Sequence, residues 1–160
     1  MKIRLISTLG GFILLSGAGL LGVCVPQAEG PSLRKEVRSA DAPQPIGPYS
    51  QAIRAGDSLY LAGQIAMDPK TGKLIEGDIK EQTRRVLHNI KAVLQAGKAA
   101  FSDVVSVTVY MTDLKDFKEM NEVYQEYFSS PYPARATVGV AALPAGAKVE
   151  IGVIAHARSQ

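Results

Sequence analysis

The chain has few of the residues that build metal sites, disulfides and nucleophilic triads. Its 160 residues include one cysteine, two histidines and no tryptophan. Cys24 alone cannot form an intramolecular disulfide, and His88 and His156 have no further ligand at zinc-binding spacing. No Gly-x-Ser-x-Gly motif and no glycine loop of the P-loop type occurs. The sequence therefore offers no motif for a metal site, a serine nucleophile or a phosphate-binding glycine loop.

Positive charge is not concentrated in the part of the chain that is expected to fold. The net charge is +3, but residues 41–160 hold eight Lys and five Arg against thirteen Asp plus Glu. A nucleic-acid-binding surface needs a basic stripe with interleaved aromatic residues, and no such stripe runs through this range. The sequence thus argues against a nucleic-acid partner.

The first 28 residues have the composition of an export signal. Lys2 and Arg4 precede an apolar run from Leu5 to Val25, and Pro26-Gln27-Ala28 follows as a cleavage zone. We therefore predict a signal peptide over residues 1–28 and an exported protein, periplasmic or secreted. Two alternatives to cleavage of a signal peptide stay open. Either would attach the protein to a membrane, and no other membrane attachment is expected. The run is about long enough for an uncleaved membrane anchor, and Cys24 ends a segment similar to a bacterial lipobox, where it would be lipidated.

The rest of the chain is predicted to form one domain after a linker. Residues 29–44 are polar and contain Gly30, Pro31 and Pro43, so we expect a linker there and a domain over residues 45–160. Alternation and helical spacing give the order ββαβαββ. The expected strands cover residues 46–55, 58–65, 104–112, 135–142 and 148–157, and the expected helices 79–96 and 116–128. Two helices cover only one face of a sheet, so the fold is α+β with its other face solvated or covered by another subunit.

The candidate catalytic residues are two charged side chains on the C-terminal strands. Arg135 and Thr137 alternate with apolar positions, and Glu150 alternates with Val149 and Ile151, so all three are expected on the face away from the core. A guanidinium and a carboxylate flanked by small residues would form a site for a small anion. The alternative is that both are ordinary charges on a solvated face.

The pairing of these two strands decides whether Arg135 and Glu150 meet. If the strands paired around a loop at residues 143–147, Arg135 would lie opposite residue 155. Glu150 would then be on the order of 17 Å away along the strand, too far for one small molecule to contact both. Either the two strands do not pair directly, or the residues serve one site from different subunits. We favour the second interpretation.

Six short motifs follow one another along the predicted domain. They are Ile46-Gly47-Pro48-Tyr49-Ser50-Gln51-Ala52, Ala62-Gly63-Gln64-Ile65, Met67-Asp68-Pro69, Asn121-Glu122-Val123-Tyr124, Pro133-Ala134-Arg135-Ala136 and Val149-Glu150-Ile151. Together they resemble the reactive intermediate deaminase family (RidA, formerly YjgF). The resemblance runs from about Asp41 to the C-terminus. It implies a chorismate-mutase-like α+β fold assembled as a homotrimer, with sites in the clefts between subunits. It also implies hydrolysis of 2-imino acids, or their enamine tautomers, to 2-keto acids and ammonia without a cofactor.

The resemblance also implies roles for individual residues. Arg135 would hold the substrate carboxylate with two hydrogen bonds, and Glu150 would orient water and move protons. The other substrate-binding residues implied are Tyr49, Ala62, Gly63, Phe117, Asn121 and Thr137. The sequence departs from the family pattern at Ala62, Thr137 and Gly152, where many members have Ser, Cys and a second Glu.

Two further functions remain open beside the deaminase. The same cleft would serve a non-catalytic module that binds a small carboxylate, and an exposed apolar surface would serve a holdase-like chaperone. The ribonuclease activity associated with some relatives is disfavoured by the neutral charge of residues 41–160. The expected partners are a small 2-imino acid and two further copies of the chain.

Overall fold

The computed structural model describes residues 33–157. The segment predicted as a signal peptide, including Cys24, lies outside the described residues. Within residues 33–157, no helix is long and apolar enough to cross a membrane.

Strands and helices alternate along the described chain in the order βββαβαββ. The strands are β1 (Arg34–Val37), β2 (Ala52–Ala55), β3 (Ser58–Leu61), β4 (Val104–Met111), β5 (Ala134–Gly139) and β6 (Val149–His156). The helices are α1 (Ile79–Ala96) and α2 (Phe117–Tyr124). The α+β class is confirmed, with one more strand at the N-terminal end than the sequence predicts.

The additional strand lies in the range predicted as a linker. β1 pairs antiparallel with β2, with Arg34 opposite Ala55. The chain after it is held by Gln51, whose side chain accepts a hydrogen bond from Ser39 N and donates one to Pro43 O at 2.8 Å. The linker prediction is therefore wrong from Arg34 onward. β1 is an exposed edge strand, so its polar side chains carry no apolar alternation from which a strand can be predicted.

The two C-terminal strands do not pair with each other. The strand order in the sheet is β1-β2-β3-β6-β4-β5. β4 lies between β5 and β6, parallel to β5 and antiparallel to β6. Arg135 is opposite Val107 and Glu150 is opposite Tyr110 on this central strand. The two C-terminal strands therefore do not form the hairpin that was considered from the sequence. Within the single chain, the interpretation that the two strands do not pair directly is the correct one.

Helix α1 packs on the sheet, and its predicted limits are confirmed. Asp78 and Glu81 form a capping box with two 2.9 Å hydrogen bonds, and Gly97 ends the helix. The apolar stripe of α1 is fully buried and includes Val86, Ile90 and Val93. Helix α2 is shorter than predicted, because the regular helix ends at Tyr124.

The sheet therefore has a helix-covered face and an open face. On the helix-covered face, Val107, Val109, Val149, Ile151 and Val153 are buried. We define the open face by the side chains that alternate with these. They are Tyr60, Thr108, Tyr110, Glu150, Val138 and Ile154.

The predicted orientation of β5 is wrong, whereas that of Glu150 is correct. Paired residues on neighbouring strands lie on the same face, so Arg135, opposite Val107, points to the helix side. Thr137, opposite Val109, does the same. Val138, expected in the core, is on the open face and 43% exposed. β5 is the edge strand of the sheet, where neither face is fully covered, so apolar alternation does not identify the core side.

Candidate functional site

Arg135 lies in a cavity built by helix α2 and the segment that leads into β5. The cavity has a volume of about 380 Å³, and we call it the arginine pocket. It is lined by Asn121, Tyr124, Gln125, Tyr132, Pro133 and Arg135. The helix side chains reach it because Asn121 and Tyr124 are three residues apart, on one face of α2. The pocket thus combines one cation with an amide and hydroxyl groups, which suits a small carboxylate.

The Arg135 guanidinium lies among aromatic rings. Its Cζ is 4.5 Å from the centroid of Tyr124 and 5.7 Å from that of Phe117. Burial raises the pKa of Tyr124 because it disfavours the phenolate, and the positive charge of Arg135 opposes that effect only in part. Tyr124 is therefore neutral and places no negative charge beside Arg135.

Glu150 lies in a second cavity, on the other side of the sheet. This glutamate pocket has a volume of about 280 Å³. It is lined by Ile46, Tyr49, Ala62, Gly63, Ile65, Met67, Pro144 and Glu150. Its walls are mainly apolar, so a charged group inside it is poorly solvated.

Gly63 leaves the space that the Glu150 carboxylate occupies. The chain after β3 runs beside β6 because Gln64 and Ile151 exchange two backbone hydrogen bonds, of 2.9 and 3.0 Å. This bridge places Gly63 beneath Glu150. A methyl group on Gly63 would overlap the carboxylate, so the position accepts only glycine while Glu150 keeps its orientation.

The carboxylate of Glu150 is suited to exchange protons. Desolvation by burial raises the pKa of Glu150 above its usual value of 4.5. Among residues 33–157, no side chain forms a hydrogen bond or ion pair with this carboxylate. Tyr49 stands at the mouth of the same pocket, 48% exposed, with its hydroxyl accepting a 3.3 Å hydrogen bond from Ile46 N.

The two pockets are separate within one chain. Arg135 points to the helix side of the sheet and Glu150 to the open face, with β4 between their strands. Phe117, Asn121 and Thr137 accompany Arg135, although of these three only Asn121 lines the cavity. The buried hydroxyl of Thr137 has no partner among the described residues. Tyr49, Ala62 and Gly63 line the glutamate pocket. The predicted site residues thus form two half-sites.

Several lining residues are missing from the sequence-based prediction. Tyr124 belongs to a family-like motif and to the apolar stripe of α2 but is not predicted as a site residue, although its spacing from Asn121 places both on one helix face. Ile65 and Met67 belong to such motifs as well, and Pro144 to none. All three come from loops, where spacing carries no information about contacts. In the described part of the chain, no group of three or more His, Cys, Asp or Glu side chains could hold a metal ion.

Comparison with known proteins identifies the family. The family described as Endoribonuclease L-PSP matches residues 39–157. The chain belongs to this family. A RutC family protein of Pyrococcus horikoshii is 53% identical over 78% of this chain and 98% of its own length. A 2-iminobutanoate/2-iminopropanoate deaminase of Dermatophagoides farinae is 49% identical over 69% of this chain and 86% of its own length. These matches confirm the resemblance to the RidA family.

A solved structure of the family has the same fold. The crystal structure of RidA from an Antarctic Psychrobacter is 45% identical, covers 76% of this chain and 98% of its own, and superposes with a TM-score of 0.74. The Endoribonuclease L-PSP fold is thus shared across the described domain.

The prediction of an exported protein is corrected by the comparisons. The family match begins at residue 39, and 78% of this chain covers 98% of the Pyrococcus relative. Neither the family match nor the described residues 33–157 include an apolar leader. The predicted signal peptide and the periplasmic or secreted location are therefore unsupported and are not retained.

Proposed function

We propose that this protein hydrolyses reactive 2-imino acids to 2-keto acids and ammonia, at sites shared between neighbouring subunits of a homotrimer. The observation that carries the proposal is the division of the chemistry between two pockets. A carboxylate-binding group lies in one, a proton-accepting group in the other, and they face opposite sides of the sheet. The name of the Dermatophagoides relative, a 2-iminobutanoate/2-iminopropanoate deaminase, supports the substrate class.

In this proposal the arginine pocket binds and orients the substrate. Arg135 forms two parallel hydrogen bonds to the substrate carboxylate, which fix the plane of the imine beside it. Asn121 supplies an amide at the same cavity, and Phe117 provides an apolar wall. Orientation is the main requirement, because a 2-imino acid is already reactive toward water.

In this proposal Glu150 is the general acid–base group of the hydrolysis. It accepts a proton from a water molecule as the water oxygen bonds to the carbon of the protonated imine, which gives a neutral carbinolamine. Glu150 then donates that proton to the amino nitrogen. As the C–N bond breaks and ammonia leaves, Glu150 takes the hydroxyl proton, so that the oxygen forms the keto carbonyl, and then releases this proton to solvent. A carboxylate with a raised pKa performs both steps better than one that is fully solvated.

The shared site follows from rotational symmetry. In a ring of three chains, the surface that carries the arginine pocket of one subunit contacts a different surface of the next. If that second surface carries the glutamate pocket, each interface holds one complete site. A single chain would then carry both pockets but would have no activity, because its two pockets do not face each other.

The experiment measures the decay of 2-iminobutanoate and 2-iminopropanoate generated in situ. Wild type should accelerate the decay, while Arg135→Ala and Glu150→Gln should each lower kcat/KM by at least about a hundredfold. Arg38→Ala removes a surface arginine outside both pockets, and it should behave as wild type. Unfolding and refolding an equal mixture of the two inactive variants should recover about a quarter of the activity, because random trimers contain some interfaces with both native residues.

Failure of the mixture to recover activity would place both residues in the same chain's site and contradict the shared arrangement. Wild type that binds 2-oxobutanoate but leaves imine decay unchanged would favour the non-catalytic carboxylate-binding module instead. In that case Arg135→Ala should abolish binding, and Glu150→Gln should not.

A further inference from the structure

The ring of Tyr124 supports the Arg135 guanidinium from inside the protein. Tyr124 is 3% exposed, whereas Phe117, on the other contact, is 40% exposed. The Tyr124 ring is also nearer to the guanidinium: its centroid is 4.5 Å from Arg135 Cζ, and that of Phe117 is 5.7 Å away. A half-exposed ring can turn away into solvent, but a buried ring stays where the core holds it. Tyr124 is therefore the fixed partner of Arg135.

The plane of the Tyr124 ring is itself fixed by neighbouring aromatic residues. Tyr124 stacks on Phe128 with centroids 4.2 Å apart and planes inclined by 19°. Phe128 packs edge-to-face on Phe101 at 4.9 Å. Rings in such a packed cluster lose little further freedom when a ligand binds. The guanidinium thus lies against a rigid surface.

The contact is made chiefly by the ring face. The Tyr124 hydroxyl is buried and has no hydrogen bond of good geometry among residues 33–157, although it lies near enough to Arg135 for the guanidinium to oppose the rise in the pKa of Tyr124. A cation above an aromatic face is attracted by the electron-rich ring, and the attraction grows as water is excluded. Removing the hydroxyl should therefore leave the support of Arg135 intact.

A supported guanidinium matters because the Arg135 side chain is otherwise free to move. Arg135 is an exposed residue on an edge strand, and among residues 33–157 no ion pair fixes its head group. Two-point binding of a carboxylate requires the guanidinium plane to be set before the ligand arrives, or its ordering opposes binding. Tyr124 supplies this order mainly through its ring face, so most of the guanidinium donors stay available to the ligand.

We propose that Tyr124 is a positioning residue: its buried ring face fixes the plane of the Arg135 guanidinium and prepares it to bind a carboxylate ligand. The inference deepens the proposed function and rests on it for the identity of the ligand.

The test compares Tyr124→Leu, which removes the ring, with Tyr124→Phe, which keeps it. Tyr124→Leu should raise KM for 2-iminobutanoate, and the Kd of 2-oxobutanoate measured by calorimetry, about tenfold. Its kcat should change by less than about threefold, because the lost interaction acts on bound substrate and transition state alike. Tyr124→Phe should restore both constants to within about twofold of wild type.

Val123→Ala is the matched control for a damaged core. Val123 is a buried residue of the same helix, 1% exposed, and is not part of the aromatic cluster that fixes the Tyr124 ring. Both variants should lose stability, but only Tyr124→Leu should lose affinity. If Val123→Ala raises KM and Kd as much as Tyr124→Leu does, the role of Tyr124 is merely structural and the inference is overturned.

An NMR measurement tests the inference without ligand. The Arg135 Nε–H proton, identified by its loss in Arg135→Lys, should be shifted upfield by the Tyr124 ring and lose that shift in Tyr124→Leu. Wild type that binds 2-oxobutanoate without accelerating imine decay would contradict the proposed function. The inference about Tyr124 would then be decided by two measurements: the ratio of the 2-oxobutanoate Kd in Tyr124→Leu to that in wild type, and the chemical shift of the Arg135 Nε–H proton. Wild type that is active, with KM and shift unchanged in Tyr124→Leu, would overturn the inference alone.

Discussion

At the scale of single residues, the glutamate pocket depends on one missing methyl group. Gly63 lies under Glu150, and any side chain there would displace the carboxylate. Because the carboxylate ends a flexible side chain, it can move away without breaking the fold. Gly63 therefore affects activity through Glu150 more than it affects stability.

We predict that Gly63→Ala lowers kcat by about tenfold or more while the melting temperature changes little. The carboxylate would still be present, but turned from the water that it must activate. Gly152→Ala is the matched control. Gly152 lies on β6, the strand of Glu150, and a methyl group there would meet no atom within 4 Å. Equal kinetics for Gly63→Ala and wild type would show that the orientation of Glu150 does not matter.

The pKa of Glu150 gives a second residue-level prediction, with a defined sign. Burial raises this pKa in the folded state, so protonated Glu150 stabilises the fold below its unfolded-state pKa. That contribution is lost as pH rises through the folded-state pKa. Glu150→Gln should therefore become more stable relative to wild type as pH rises above 4.5. Urea unfolding at several pH values and fixed protein concentration measures the difference.

Glu122 serves as the control of opposite sign. Its hydrogen bond and ion pair with Lys80, at 2.7 Å, lower the pKa of Glu122. The contribution of its charged form is present above the unfolded-state pKa and is lost as pH falls through the folded-state pKa. Glu122→Gln should thus be less stable than wild type at neutral pH, by a small amount because the pair is exposed. The same trend in both variants would contradict the assignment for Glu150.

At the scale of secondary-structure elements, helix α1 holds the loop that forms the glutamate pocket. Asn89 is fully buried, and its side-chain amide donates hydrogen bonds to Ile65 O at 3.2 Å and to Met67 O at 2.9 Å. Ile65 and Met67 line the pocket. The helix thus fixes the pocket wall through one side chain.

We predict that Asn89→Ala lowers the free energy of unfolding by about 2 kcal/mol, because Met67 O loses its side-chain donor and Ile65 O keeps only its backbone donor, Met67 N. It should also raise KM, since the pocket wall is no longer held. Lys91→Ala, at an exposed position of the same helix, should change stability by less than about 0.5 kcal/mol. Denaturant unfolding and imine-decay kinetics measure the two effects. An unchanged KM in a destabilised variant would separate Asn89 from the pocket.

At the scale of the whole molecule, the open face remains uncovered within one chain. Tyr60 is 48% exposed, Val138 43% and Ile154 36%, and they lie on strands that are adjacent or nearly so in the sheet. Apolar side chains grouped on one surface favour contact with another protein surface. The proposed homotrimer would bury them and would bring the two pockets of neighbouring chains together.

We predict that Val138→Asp dissociates the trimer, because a carboxylate would be buried without a partner at the subunit contact. Analytical ultracentrifugation should show the mass of one chain, with a circular dichroism spectrum like that of wild type and no imine hydrolysis. Leu33→Asp changes an apolar side chain that is 87% exposed and directly precedes β1, at the edge of the sheet opposite β5. It should remain trimeric. A monomeric Val138→Asp protein with full activity would contradict the shared site.

The sequence by itself determined the elements whose signals are local. The limits of α1 were predictable because a capping box and a terminal glycine act within a few residues of the helix ends. β4 was predictable because Val107, Val109 and Met111 alternate and face the core. The motifs around Arg135 and Glu150 identified the family, since they depend on residue type and order alone.

Only the tertiary structure decided where those residues point. Alternation shows that a strand has two faces, but which face is buried depends on the elements that pack against it. β5 ended at the sheet edge beside β4, so Arg135 faces the helices while Val138 is exposed. β1 carried no local signal because both its faces are exposed. The division of the site into two pockets therefore follows from strand order, which long-range pairing sets and which no short stretch of sequence encodes.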